Sequence, residues 1–271
     1  MDGRRRAATG RRSARGGWLP SLTTPSRLLE HHQRSLERRA AVVAAYRARR
    51  LRRMAAVPGG GGRPWESMDL IDARSRDVDL PGGGRLFVHE IAGPPGAATL
   101  VLLHGWRGTA AGNWATAMPA LARDFHVVAP DLRGHDAASA DDVMAMADAL
   151  GVERFVAVGY SLGSAVAVRL GRHHPDRVAG LVLCAAAVSI PPAGTLGDVG
   201  DIPTAVVVTR QDRLIPEWRQ LALARSLRGA SVHPVDGNHF AFARADVFVP
   251  ALLDACHSVA RSPRGDRDLN V

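Results

Sequence analysis

The chain has 271 residues, 46% of them apolar, and two cysteines. That length leaves room for one α/β domain with a full core, while the cysteines are too few for a disulfide framework or a metal cluster, and no apolar run approaches the ~20 residues of a membrane-spanning helix. The net charge of +9 divides unevenly: residues 1–65 hold 16 arginines against three acids and residues 66–271 hold 19 against 23, so the basicity belongs to the first quarter and the mildly acidic remainder argues against a nucleic-acid-binding body.

In chain order, residues 1–64 read as an Arg-rich extension. Residues 1–23 have the Arg, Gly, Ser and Ala composition expected of disorder. Ala40 to Tyr46 is the nearest approach to the apolar core of a secretory signal, but it is barely long enough, lacks a good cleavage site and runs into "RARRLRR". Export is therefore not expected, a transit peptide is left open, and the expected compartment is cytoplasmic. Thr24–Pro25 looks like a helix cap with Pro at the first helical position, and "PGGGG" at 58–62 stops a helix-compatible stretch ending near Ala56. Leu29, Leu36 and Val43 recur at intervals of seven on an otherwise Arg-rich helix. It reads as a solvated extension, as a helix docked on the domain or a partner, or as a basic helix resting on anionic lipid or nucleic acid.

From 65 to 271 the pattern becomes that of an α/β domain. Strands are expected at Arg76–Leu80, Arg85–Ile91, Thr99–Leu103, His126–Ala129, Phe155–Val158, Gly180–Cys184, Thr204–Thr209 and Ser231–Val235. Helices are expected at Asn113–Arg123, Ser139–Leu150, Ser161–His173, Pro216–Arg228 and Arg244–Ala260. "PGGG" at 81–84 joins the first two strands as a hairpin. The later alternation of strands and helices, with fully apolar strands such as "TLVLL" and "TAVVV", implies a mostly parallel eight-stranded sheet covered on both faces. Cys184 and Cys256 are expected to be free, buried thiols.

The stretch "RFVAVGYSLGSAVAVRL" (154–170) carries the chemistry. Its Gly159–Tyr160–Ser161–Leu162–Gly163 is a G-x-S-x-G between a buried strand and a helix. A serine on so sharp a turn projects its hydroxyl, and the crossing of strand and helix leaves no room for side chains two residues to either side. The helix N-terminus then aims free N–H groups at developing negative charge. A serine needs a base, and the base an acid, in the chain order Ser, acid, His. Asp212 follows one strand and His239 the last, both where open α/β sheets build their sites. Asp236 is a rival acid.

On these residues the chain resembles the α/β-hydrolase fold superfamily, specifically its single-domain esterase and lipase-like members, over nearly all of 70–260. "LVLLHGWRG" (100–108) looks like the family's oxyanion loop, and "VVAPDLRGHD" (127–136) like its next strand and turn. The resemblance implies backbone N–H donors at Trp106 and Leu162, Asp212 as the acid, His239 as the base, and a structural role for His104. Asp131 and Arg133 are expected to fix their turn, and His135, His173, His174, His233 and His257 to be ordinary polar residues. Trp106, Trp114 and Tyr160 are expected to line the site, with Trp106 and Tyr160 binding substrate. Dehalogenases and epoxide hydrolases of this fold place Asp at the elbow, so Ser161 speaks against those reactions.

Two departures stand out. "VSIPPAGTLGDVGDIP" (188–203) is too short for the helical cap that many relatives insert there, so the cap is expected to be reduced to a loop, and Asp136 replaces a glycine. A shallow, open site follows, which favours a broad esterase on a small-molecule acyl substrate, without metal or organic cofactor. A related thioesterase, amidase, C–C hydrolase or perhydrolase, a non-catalytic binding protein, and a basic arm tethering the domain to a membrane surface or nucleic acid remain as alternatives. The helix at 24–56 is a candidate replacement for the lid.

Overall fold

A computed structural model describes residues 73–81, 83–135, 137–186, 188 and 199–261. The expectations for the extension 1–64 and its helix, Asp136 and most of the 188–203 connection lie outside these residues.

Eight strands form one sheet: β1 (Arg74–Asp79), β2 (Arg85–Ile91), β3 (Thr99–Leu103), β4 (His126–Pro130), β5 (Phe155–Tyr160), β6 (Val178–Cys184), β7 (Thr204–Thr209) and β8 (Ser231–Val235). Their order is β1-β2-β4-β3-β5-β6-β7-β8. β1 and β2 form the expected antiparallel hairpin, β2 runs antiparallel to β4, and all other pairs are parallel. Among the described residues the α-helices are α1 (Ala110–Trp114), α2 (Met118–Leu121), α3 (Ala137–Ala149), α4 (Gly163–His173), α5 (Glu217–Ser226) and α6 (Ala245–Ala260). A 3-10 turn, Ala241–Ala243, precedes α6.

The apolar strands split their side chains between two core layers, as the period of two dictates. Val101 and Leu103 of β3 lie in one layer with Val143 of α3, Val166 and Leu170 of α4 and Leu223 of α5. Leu100 and Leu102 lie in the other with Trp114 of α1, Met118 of α2, and Phe248 and Leu252 of α6. Cys184 and Cys256 are free and buried in this second layer, and burial pushes both thiols well above their ordinary range.

One expected element needs correction. The single helix over Asn113–Arg123 is two short ones, α1 and α2. Pro119 lacks the N–H that would continue a helix through it, and it sits instead in the opening turn of α2. Thr109 caps α1, its Oγ1 accepting the Gly112 N–H at 3.0 Å.

The crossing of β5, α4 and β3 positions everything functional. A Cβ on Gly163 would lie 2.2 Å from the Leu103 carbonyl oxygen, and one on Gly159 would lie 2.5 Å from the Gly163 carbonyl oxygen and the Ser164 nitrogen. All these neighbours are backbone, so they cannot move aside cheaply. Gly163→Ala should therefore destabilise the chain by about 1–3 kcal/mol, read by equilibrium denaturant unfolding against the parent.

Candidate active site

Ser161 follows β5 directly and adopts φ 53°, left-handed backbone that costs a non-glycine residue energy. The packing of β5 under α4 enforces it, and the Ser161 N–H is tied to the Cys184 carbonyl at 2.8 Å. Its hydroxyl lies 3.0 Å from His239 Nε2, and His239 Nδ1 lies 2.6 Å from Asp212 Oδ2. The structure thus brings together three residues spread over 78 positions of sequence. Nδ1–H donates to the carboxylate, leaving Nε2 free to accept the serine proton. The Asp212 side chain is fully buried and that of His239 is 12% exposed.

Asp212 is held by its own loop. Its Oδ1 accepts the N–H groups of Leu214 (2.8 Å) and Ile215 (2.9 Å), and its Oδ2 accepts the Thr209 hydroxyl (3.0 Å) besides His239. Asp236, the rival acid, is exposed and pairs with Arg210 at 3.2 Å.

The loop after β3 crosses the elbow closely. A Cβ on Gly105 would stand 3.3 Å from both the Ser161 Cβ and the Tyr160 carbonyl oxygen. This loop is pinned at several points. The Gly105 N–H donates to Asn113 Oδ1 (3.1 Å), and the Ala110 N–H to Asp131 Oδ1 (2.6 Å). Leu132 N–H donates to His104 Nε2 (2.9 Å), so the His104 proton sits on Nδ1 and donates to the Gly105 carbonyl (2.9 Å). Arg133 Nε and Nη2 bind the Asp142 carboxylate in a two-pronged pair that holds the same turn. Among the described residues, neither the Trp106 nor the Leu162 N–H bonds another part of the chain.

Three sequence expectations change. Trp114 is fully buried and Tyr160 is 1% exposed, so neither presents open surface, while the Tyr160 ring stands edge-on 5.9 Å from the His239 ring. Both belong to the rear core layer, where Tyr160 meets Trp114 and Phe248 edge-on and donates its hydroxyl to the His239 carbonyl at 2.9 Å. Trp106 does present surface, at 47% exposure, with the Arg107 guanidinium 5.6 Å over its ring. His135 is not an ordinary polar residue: its Nε2 donates to the His104 carbonyl at 2.9 Å, and the two rings meet edge-on.

Sequence reading missed Asn113, His135, Thr209 and Gln220. Gln220 had a visible signal. It shares the 220, 223, 224, 227 spacing of one helix face with Leu223, Ala224 and Leu227, and all four are buried. A polar side chain on that face needs a partner.

Among the described residues no cluster of His, Cys, Asp and Glu could hold a metal ion, and no helix is long and apolar enough to cross a membrane. The expected openness of the site depends on the connection between β6 and β7, of which 187 and 189–198 lie outside the described residues.

A serine on a strand-to-helix elbow, backed by His and Asp from later strand ends, defines a hydrolase-type α/β site. The family model described as "alpha/beta hydrolase fold" matches residues 98–199. The chain is 40% identical over 101 residues to a pyrrolizixenacetamide deacetylase of Xenorhabdus hominickii, covering 33% of this chain and 38% of that one. It is 36% identical over 96 residues to the pimeloyl-[acyl-carrier protein] methyl ester esterase of Edwardsiella ictaluri (33% and 37%) and 37% identical over 123 residues to epoxide hydrolase A of Mycobacterium tuberculosis (40% and 36%). The matched stretches thus span roughly two fifths of these relatives' lengths. Among solved structures, a predicted CIB-like hydrolase from Thermoplasma acidophilum matches with TM-score 0.60 at 22% identity, covering 67% of this chain and 96% of that one. A hydrolase from Pseudomonas aeruginosa PA01 matches with TM-score 0.59 at 20% identity (70% and 99%). The chain has the α/β-hydrolase fold.

The His104 pinning carries a pH signature. Burial holds its pKa below the ordinary value of 6.5; the Gly105 bond opposes this, the His135 charge adds to it, and Asp131 opposes it. A protonated ring would lose the bond from Leu132. The unfolded chain then binds a proton that the folded chain refuses, so the stability due to neutral His104 is present above 6.5 and is lost as pH falls below it. Unfolding free energies measured between pH 7.5 and 5 should fall with pH, and the fall should be shallower in His104→Gln.

Proposed function

We propose that the protein is a serine hydrolase that cleaves carboxylic esters through an acyl-enzyme on Ser161. The observation that carries this reading is the unbroken line from Ser161 Oγ to His239 Nε2 (3.0 Å) and from His239 Nδ1 to Asp212 Oδ2 (2.6 Å), mounted on a left-handed elbow. His239 takes the serine proton as Oγ attacks the acyl carbonyl carbon. The tetrahedral oxyanion is met by the N–H groups of Trp106 and Leu162, with the N-terminus of α4 adding positive potential. Collapse breaks the ester C–O bond, and the alcohol leaves with the proton from His239. Water, deprotonated by His239, attacks the acyl-enzyme and releases the acid and Ser161. Asp212 orients His239 and stabilises its charged form.

Two relatives are named as a deacetylase and a methyl ester esterase, which supports acyl cleavage. Serine at the elbow supports it over the epoxide opening that names a third relative. A small-molecule acyl substrate is consistent with this site, and exposed Trp106 at its margin is the side chain best placed to touch it.

The test is labelling by a fluorophosphonate probe together with hydrolysis of p-nitrophenyl esters of varied chain length. The parent chain should label and turn over, whereas Ser161→Ala and His239→Ala should lose label and drop in kcat by about 10⁴-fold or more. Labelling that survives Ser161→Ala, or a folded parent inert to both probes, would overturn the reading.

A further inference from the structure

Behind Asp212 lies a buried polar chain that the mechanism above does not use. Thr209, the last residue of β7, and Gln220, on the first turns of α5, are both fully buried. Gln220 Oε1 accepts the Thr209 N–H at 3.0 Å. Its Nε2 donates to the Ile215 carbonyl at 2.7 Å and to Thr209 Oγ1 at 3.0 Å. A flipped amide would set an N–H against an N–H and a carbonyl against a carbonyl, so the orientation is unique. Thr209 Oγ1 therefore accepts a hydrogen bond from Gln220 Nε2 and has one hydroxyl proton of its own to donate. Two acceptors lie within its reach, and the charged Asp212 Oδ2 at 3.0 Å is nearer than Gln220 Oε1 at 3.4 Å, so the proton goes to Asp212 Oδ2. That is the same oxygen that holds His239 Nδ1–H.

We propose, resting on the serine-hydrolase reading, that Thr209 and Gln220 are positioning residues. Gln220 locks the Thr209 hydroxyl rotor, and Thr209 fixes Asp212 and disperses its charge. Dispersal tunes how strongly the carboxylate stabilises a protonated His239, and in a water-free setting such a neutral donor has a large effect on a charged acceptor. Among the described residues Asp212 forms its only ion pair with His239. Of the charged groups on the elements around it, Arg210 bonds Asp236, Arg213 is exposed and Glu217 is half-buried at the start of α5. Tyr160, the other titratable group beside His239, has its hydroxyl on the His239 carbonyl. The Thr209 hydroxyl is thus the neutral donor left to set the charge on Oδ2.

Thr209→Val removes the donor and leaves every partner another bond: Asp212 Oδ2 keeps His239, and Gln220 keeps Ile215 and the Thr209 backbone. With a p-nitrophenyl ester as probe and the full chain, kcat should fall about tenfold with KM within about twofold. The carboxylate, its charge now less dispersed, favours protonated His239, so the acid limb of the kcat/KM–pH profile should move to higher pH by about half a unit. Thr209→Ser keeps the hydroxyl and should restore both rate and profile. Gln220→Met, which fills similar space without the amide, should shift the limb in the same direction by less, and gives the readout if Thr209→Val does not fold. Parent-like rates and profiles in folded Thr209→Val, or in Gln220→Met where it stands in, would overturn the proposal, as would a Thr209→Ser as impaired as the valine variant. Those outcomes leave the serine-hydrolase reading intact, whereas a parent chain that neither labels nor turns over sinks both.

Discussion

The site depends on one close crossing of backbones. β5 must end, turn through a left-handed serine and enter α4 while β3 passes within contact distance. Gly159 and Gly163 make the crossing possible because a methyl group at either would meet backbone atoms. The crossing does three things at once. It lifts the Ser161 hydroxyl out of the sheet, turns the N-terminal amides of α4 toward it, and brings the loop after β3 over the elbow. The strain at Ser161 is local, and the two apolar layers that clamp the sheet hold it in place.

The rest of the site consists of polar groups brought to that elbow by strand ends and locked by burial. Two locks act independently. In one, His104, His135, Asn113 and Asp131 hold the loop that carries Trp106, with each proton's location settled by its partners. In the other, Leu214, Ile215 and Thr209 hold the Asp212 carboxylate while Tyr160 grips the backbone of His239. The second lock pairs each of these groups, whereas in the first the Asn113 Nδ2 is buried without a hydrogen-bond partner among the described residues, a cost set against the geometry that its Oδ1 fixes.

Much of this was legible in the sequence, for physical reasons. Strands buried on both faces, such as β3 and β7, read as unbroken apolar runs, and β2, β3, β7 and β8 all have the expected bounds. Ser161 was legible because sterics demand glycine on both sides. The resemblance favours Asp212 over Asp236, and the loop gives the physical reason: one carboxylate turns inward onto backbone N–H groups and the other outward to Arg210. Trp114 and Tyr160 misled because an aromatic residue beside a motif is as useful to the core behind it as to the pocket before it. The break at Pro119 was written in the sequence but outweighed by helix-compatible neighbours.

The polar residues that escaped notice share one property: their partners lie outside their own helix or strand. His135 bonds a carbonyl 31 residues back, and Gln220 a strand end 11 residues back. Spacing rules see only neighbours on one element, so they register a buried glutamine as an interruption of an apolar face rather than as one end of a network. An α/β sheet makes such pairings routine. It gathers the C-terminal ends of its parallel strands at one rim, where a polar group on the helix that follows each strand lies next to that strand's last residue. Functional positions in this fold are thus distributed over strand ends and the first turns of the helices behind them. A polar residue on the buried face of such a first turn, as at Gln220 behind Asp212, is where to look for the groups that set a site's electrostatics without touching its substrate.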